Sequence, residues 1–363
     1  MPRPDRVRLV VLFGGQSAEH EVSCVSAFHV LRAVDQERYE LDAVGITREG
    51  DWVRADDAIA ALHRGAAELP TRGTDRLEAT GTAIEPLPAV TPAIGDLPIV
   101  VFPILHGPHG EDGTVQGMLE LAGVPFVGAG VLGSALCMDK LKAKDVFAAH
   151  GLPQVPWIGL RDTELDDLVA RVTDAGLRYP LFVKPANLGS SVGVSRVLDE
   201  AALVEAAALA ASYDEWIAVE EGAHGREIEV AVLGNADPRA SVPGEVIPGR
   251  DFYDYEDKYV EDGAELRIPA ELPDGVAEGI RALAVEAFTT LRCDGMARVD
   301  FFYEEDDRGV LINEVNTIPG FTPISQYPKL WEATGLPYDQ LIDELVRLAL
   351  DRHERRSRFS TKR

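Results

Sequence analysis

Two strand-like runs, ARVDFFY (297–303) and VLINEVN (310–316), flank the polar stretch EEDDRG (304–309). Folding them back about that turn forms a hairpin with Asp300 opposite Asn313 or Glu314, a one-residue slip still being open. The period of two puts Arg298 and Asp300 on one face, and Glu314 and Asn316 likewise. The alternates Val299, Phe301, Leu311 and Val315 are apolar and turn to the core. Two carboxylates and an amide oxygen beside an arginine are hard ligands of the kind Mg²⁺ takes, because that ion keeps waters and bridges to substrate phosphates. A solvated hairpin face with an ion pair gives the same pattern in an acidic chain, so this set alone leaves both readings open.

A second candidate is KPANLGSSVGVS (184–195), a lysine at the end of the apolar strand YPLFVKP followed by a Gly/Ser loop. The ammonium can reach phosphates while loop N–H groups line the same anion. It lacks the Gly-Lys-Ser/Thr order of a Walker loop, and Gly14-Gly15 after the first strand lacks the rest of a dinucleotide fingerprint. Lysine usage sharpens this. Only seven lysines occur (Lys140, Lys142, Lys144, Lys184, Lys258, Lys329 and Lys362) among 35 basic residues. A chain that uses arginine wherever a charge suffices keeps lysine where a compact ammonium is needed.

The elements that must carry these groups follow from periodicity. VRLVVLF (7–13) and the run 97–105 are apolar strands, each leading through a polar or glycine-rich loop to a helix; Ser17 is the expected N-cap of the first. Strands alternating with helices predict an α/β first domain with a mostly parallel sheet. The stretch 54–95 has no firm period and reads as a poorly specified insertion. From Met138 come a lysine-bearing helix, the strand and Gly/Ser loop, a helix near 199–212 and the strand WIAVEE. REIEVAVL alternates strictly, with Ile228, Val230 and Val232 on one face and Glu227 and Glu229 on the other. Residues 240–265 read as a long loop of the lid type. A helix over 273–292, the hairpin and a helix near 337–352 close the chain.

Bulk properties exclude other classes. With 363 residues the chain holds two or three domains, and no eighteen-residue apolar run offers a membrane span. A net charge of −26 opposes nucleic acid. The basic tail from Arg352 to Arg363 reads as a frayed, solvated helix end. No secretory signal precedes the first strand, and Cys24, Cys137 and Cys293 read as reduced, packed thiols, which implies a cytoplasmic setting.

In order along the chain, GGQSAEHEVS, LHGPHGEDG, MDKLKAK, VKPANLGSSVGVS, EEGAHGREIEV, FYDYEDKY, ARVDFF and NEVNTIPGFTPIS resemble the motifs of D-alanine–D-alanine ligases of the ATP-grasp superfamily. The resemblance spans about residues 14–330 and implies an α/β N-terminal domain, Rossmann-like with a parallel sheet (1–137). A two-part ATP-grasp fold follows, with a central subdomain (138–221) and a catalytic C-terminal domain (222–363). It implies that Glu19 holds the ammonium of the first D-alanine with His106 nearby, and that Lys140 and Lys184 contact the ATP α/β-phosphates. Glu220 would lie by the adenine pocket, with Glu221, Ala223, Tyr253 and Asn313 also on the nucleotide and Glu227 by the ribose. Lys258 would reach the γ-phosphate. Asp300, Glu314 and Asn316 would hold two Mg²⁺, with Mn²⁺ a possible substitute, Glu314 also lying at the nucleotide. Arg298 and the Gly320 N–H would stabilise an oxyanion, and Ser190 and Tyr259 would join Glu19 in tying a lid over the substrates. Ser325 would help hold the second substrate's carboxylate; beside it stands Gln326, where some relatives carry leucine.

The implied reaction is ADP-forming ligation of two D-alanines through an acyl phosphate, for peptidoglycan precursor synthesis, by a homodimer. Tyr259, where D-lactate-preferring relatives tend to have histidine, favours an amine acceptor. The alternatives are a D-Ala–D-Lac or D-Ala–D-Ser ligase and, from another class, a non-catalytic nucleotide-binding regulator. That last reading expects lost phosphate or metal ligands, yet all are present.

Overall fold

The computed structural model describes residues 6–65, 76–91, 97–247 and 265–359. In chain order the first part carries β1 (Val7–Gly14), α1 (His20–Ala33), β2 (Tyr39–Ile46), β3 (Trp52–Arg54), α2 (Asp56–Arg64), β4 (Thr82–Ala83), α3 (Pro86–Val90), β5 (Ile99–Leu105) and α4 (Thr114–Leu121). The sheet order is β4-β3-β2-β1-β5, with β1 parallel to both β2 and β5. Strands covered on both faces need apolar residues at nearly every position, which is why β5 and β1 from Leu9 to Phe13 read as unbroken hydrophobic runs, with Arg8 at the strand's start paired to Asp42. The order reverses at β1, so the crevice beyond the carboxyl ends of β1 and β5 is where an open α/β sheet gathers ligand groups. The stretch expected to be a featureless insertion instead supplies α2, β4 and α3, the strand extending the sheet edge. Their shortness hides any period.

Next come α5 (Val131–Met138), α6 (Lys140–Ala149), β6 (Trp157–Arg161), α7 (Leu168–Asp174), β7 (Leu181–Pro185), β8 (Ser195–Val197), α8 (Glu200–Ala211) and β9 (Trp216–Glu221), forming an antiparallel sheet β6-β9-β7-β8. Leu181, Val183, Ile217 and Val219 enter a core with Leu203 and Ala207 of α8. By alternation Lys184 and Glu220 stand on the opposite face, against which Leu141 of α6 packs on Ala186 and Ala218.

The last part carries β10 (Arg226–Gly234), β11 (Arg239–Ala240), β12 (Gly244–Ile247), β13 (Glu265–Arg267), α9 (Val276–Thr290), β14 (Gly295–Glu304), β15 (Gly309–Asn316), α10 (Gln326–Ala333) and α11 (Tyr338–Ser357). Its sheet runs β13-β12-β10-β14-β15, with β11 on β10. One face packs Ile228, Val230, Val299, Phe301, Ile312 and Val315 against Ile280, Ala284 and Phe288 of α9.

The hairpin forms where expected, with its register now fixed. Asp300 pairs with Glu314 and Arg298 with Asn316, and the register then shifts so that Phe301 pairs with Ile312. Asn313 is therefore the extra residue of a β-bulge. The bulge corrects one expectation: Ile312 takes the core position beside Phe301, whereas Leu311 pairs with Phe302 on the other face.

The C-terminal helix also departs from the expectation of a frayed end, running to Ser357. Arg352 is 3 % exposed, its guanidinium 4.0 Å from the Phe126 ring centroid and donating to the carbonyls of Gly128 and Phe126. Arg356 pairs with Glu120 and Arg355 with Asp294. Among the described residues no helix is long and apolar enough to cross a membrane.

Candidate functional site

Glu19 sits at the mouth of the first sheet. Helix α1 begins at His20 with Glu19 as its N-cap residue, two positions later than the Ser17 cap expected, because the Ser17 hydroxyl accepts from the Glu19 N–H at 3.0 Å. The Glu19 carboxylate is 9 % exposed and accepts from Ser190 Oγ at 2.5 Å. Ser190 thus reaches across from the Gly/Ser loop, in left-handed backbone at φ +50°. Gly107 takes left-handed backbone at φ +76°, and a Cβ there would stand 2.7 Å from Ser17 Oγ; one at Gly189 would press on Glu19 Oε2 at 3.1 Å.

His106, at the end of β5, is buried, and its Nδ1 lies 2.9 Å from the Ile318 carbonyl. A carbonyl only accepts, so Nδ1 carries the proton. Nε2 is buried with no hydrogen-bond partner among the described residues. Burial keeps the imidazole pKa below its ordinary range despite the nearby Glu19 charge and the Ile318 bond, so the ring is neutral with a bare acceptor nitrogen. Glu111, from the same HGPHGEDG loop, accepts from the Gly107 N–H at 2.8 Å. Burial and then the neighbouring Glu19 charge push its pKa up to about 8. Sequence reasoning did not single it out.

The hairpin supplies an acidic wall. Cross-strand register places Glu229, Asp300 and Glu314 in one row over β10, β14 and β15. Arg298 forms a bidentate bond with Asp300, 2.7 Å at each nitrogen, and lies 3.3 Å from Glu229. Asn316 Nδ2 donates to Asp300 at 2.8 Å. Burial opposes the Arg298 charge, but Asp300 and Glu229 hold its pKa well above the ordinary range. Glu229 is the third carboxylate missed beforehand; the strict alternation of REIEVAVL gave its face but not its neighbours. Among the described residues no three His, Cys, Asp or Glu side chains form a ready-made metal cage. Two carboxylates and an amide nevertheless fit a cation that completes its shell with water and phosphate oxygens.

A basic wall stands opposite. Lys184 of β7 donates to Glu220 Oε2 at 2.9 Å, and Lys144 Nζ of α6 lies 3.5 Å from Glu220 Oε1. Lys140, one turn earlier, donates to the Leu188 carbonyl at 2.5 Å, beside the Gly/Ser loop. Burial alone would raise Glu220, but Lys144 and Lys184 hold it down at about 2. Burial would lower Lys184, yet Glu220 raises it, with Glu314 and Glu227 adding to the effect from the other sheet. For Lys144 burial wins and its pKa falls. Lys184 therefore lies within electrostatic reach of the acidic wall.

Other expected residues fall in varied places. Ser325 Oγ accepts from the Thr322 N–H at 3.1 Å, and a Cβ on Gly320 would stand 3.2 Å from it, so Gly320 and Ser325 meet in one turn after β15. Glu227 is half-buried on the charged face of β10, and Ala223 lies just before that strand. Asn313 is the bulge residue. Glu221 is not brought to the lysines: its carboxylate accepts from Arg178 at 3.0–3.3 Å and from Arg308 at 3.5 Å. Tyr253, Lys258 and Tyr259 lie outside the described residues, as does most of the expected lid.

Residues 8–129 match the family described as D-ala D-ala ligase N-terminus, and residues 146–347 match D-ala D-ala ligase C-terminus. A D-alanine--D-alanine ligase of Ruminiclostridium cellulolyticum is 46 % identical over 362 residues, covering 96 % of each chain. One from Listeria innocua is also 46 % identical, over 364 residues and 96 % of each. Among solved structures, the D-alanine-D-alanine ligase from Coxiella burnetii superposes with a TM-score of 0.81 at 38 % identity, covering 98 % of this chain and 97 % of that one. The VanG D-Ala:D-Ser ligase from Enterococcus faecalis gives 0.80 at 34 % identity, covering 95 % and 99 %.

Proposed function

Because the chain belongs to the D-alanine–D-alanine ligase family, ATP-dependent ligases of the ATP-grasp fold, we propose that it joins two D-alanines through an acyl phosphate. The product is a peptidoglycan precursor. One observation supports this above the rest: Lys184 on one sheet lies within electrostatic reach of Glu314 on another, so a cationic and an anionic wall border one cleft. A polyphosphate needs the first, and its counter-cations need the second.

Glu19 binds the ammonium of the first substrate. The carboxylate of that substrate attacks the γ-phosphorus of ATP, breaking its bond to the β,γ-bridging oxygen to give an acyl phosphate and ADP, and Arg298 offsets the repulsion between the two anions. Lys140 and Lys184 hold the α/β-phosphates, with Lys258 at the γ-phosphate. The nucleotide base and ribose lie along Glu220, Glu221, Ala223, Tyr253, Glu227 and Asn313. Asp300, Glu314 and Asn316 would hold Mg²⁺, or Mn²⁺ in its place, which when bound neutralises phosphate charge. The neutral amine of the second substrate then attacks the acyl carbon, the Gly320 N–H and Arg298 meet the oxyanion, and its collapse expels inorganic phosphate, which carries off the amine proton as the amide forms. His106 borders the first substrate, and Ser325 holds the second carboxylate. Ser190 and Tyr259 tie the loops over Glu19, keeping water from an intermediate that hydrolyses. Holding the reactants in line supplies at most about 7–11 kcal/mol of the barrier reduction. We take 1–137, 138–221 and 222–363 as the working domain division, and a cytoplasmic homodimer as the working form.

Incubation with ATP, Mg²⁺ and D-alanine is expected to release phosphate and form the dipeptide in equal amounts. Phosphate release only with an unrelated acid, or a faster reaction with D-serine as acceptor, overturns the substrate assignment.

A further inference from the structure

Lys144 is the most deeply buried lysine described, 2 % exposed on the inner face of α6. A buried ammonium normally saturates its three donors. This one makes no hydrogen bond among the described residues, and Glu220 Oε1, its ion-pair partner at 3.5 Å, likewise accepts none. The other Glu220 oxygen is fully engaged, accepting from Lys184 at 2.9 Å. As a stabilising device the arrangement is poor, since two ions leave water without the hydrogen bonds that offset the cost. Its value lies in the charge count. Glu220 aligns Lys184, but a carboxylate paired with one lysine cancels the charge that lysine was placed to offer. A second ammonium on the far oxygen restores it.

We propose that Lys144 is a positioning residue for the nucleotide: it is the counter-ion of Glu220, so that Glu220 can hold Lys184 in line while the group keeps one net positive charge for the polyphosphate. The inference rests on the ligase reading above. It assigns Glu220 the task of aiming a lysine, with any contact to the base secondary. Retention of lysine here, in a chain that mostly uses arginine, suits a compact ammonium set against a single carboxylate oxygen.

The test is a nucleotide-affinity measurement by calorimetry on the full chain with ADP and Mg²⁺, beside steady-state kinetics and melting. Lys144→Met is expected to weaken ADP binding and raise the ATP KM by about tenfold or more, while the D-alanine KM moves less than about twofold. The double variant Lys144→Met/Glu220→Gln restores the net charge of the group and is expected to bind ADP at least about threefold more tightly than Lys144→Met, short of the parent because Glu220 itself belongs to the nucleotide site. If the single variant fails to fold, a double variant that folds yet takes up no ADP overturns the proposal, since removing both partners leaves no lone buried ion. Unchanged ADP affinity in Lys144→Met with only a lowered melting temperature overturns the proposal, as does a double variant as weak as the single. A parent protein that takes up no ADP at all defeats the ligase reading instead.

Discussion

The two walls of the cleft are inverse images of each other. On the α6/β7/β9 side, Lys140, Lys144 and Lys184 surround one carboxylate, Glu220, whose low pKa reflects them. On the β10/β14/β15 side, Glu229, Asp300 and Glu314 surround one guanidinium, Arg298, which senses all three. In each wall the residue of opposite sign makes hydrogen bonds that fix the geometry, and the wall keeps a net excess of its majority charge. The walls differ in rigidity of chemistry: Arg298 grips Asp300 with a planar fork, whereas Glu220 faces two point charges, one hydrogen-bonded and one held at a distance. The acidic wall is built for fixed geometry, the basic wall for charge that can be handed to a phosphate.

That contrast can be broken most severely on the acidic side. Asp300→Asn keeps the shape but removes the charge and replaces one acceptor oxygen with a donor nitrogen, so turnover with saturating Mg²⁺ is expected to fall by at least about a hundredfold. Its melting temperature should stay within a few degrees of the parent; equal losses of folding and activity would reduce the hairpin to a structural ion pair.

A smaller effect tests the crevice between the walls. Glu111 has a folded pKa of about 8, above its unfolded value of 4.5, so the folded state holds the proton and stability falls as pH rises between those values. Glu111→Gln removes this penalty. Without nucleotide or divalent ion, its melting temperature should exceed the parent's by an amount that grows from pH 5 to pH 8 and is level above. A constant difference across that range contradicts it.

The smallest effect compares neighbours. Glu220 and Glu221 adjoin on β9, but Glu221 turns to Arg178, whose side chain is 76 % exposed. Arg178→Ala is expected to leave the urea midpoint and turnover essentially unaltered, because the guanidinium is exposed and the pair screened by water. A large loss of activity would mean that Glu221 belongs to the basic wall after all.

The hairpin was legible because its period of two and its polar turn are local, and the helices of 200–211 and 276–290 because each is a long run rich in helix-forming residues. The pairing of Asp300 with Glu314 and not Asn313 was not, since either neighbour satisfies the alternation and only the packing of Ile312 against Phe301 decides it. Glu229 illustrates another limit. Its face follows from its own strand, but its company depends on β14, some seventy residues downstream. Burial of Lys144 is invisible for a similar reason, because MDKLKAK reads as a polar helix until β9 covers it. At the Glu19 end, the expected cap at Ser17 failed because a serine two residues before a helix can bond the chain locally and postpone the start.

The guanidinium of Arg352 has a consequence for how the molecule is assembled. It completes the hydrogen bonding of two carbonyls, at Phe126 and Gly128, that precede it by 226 and 224 residues. During synthesis those carbonyls leave the ribosome long before their donor exists, so this joint can acquire its native hydrogen bonds only once the last helix has been made. The fold is stitched shut late, and from its far side, by a helix that makes no chemistry of its own.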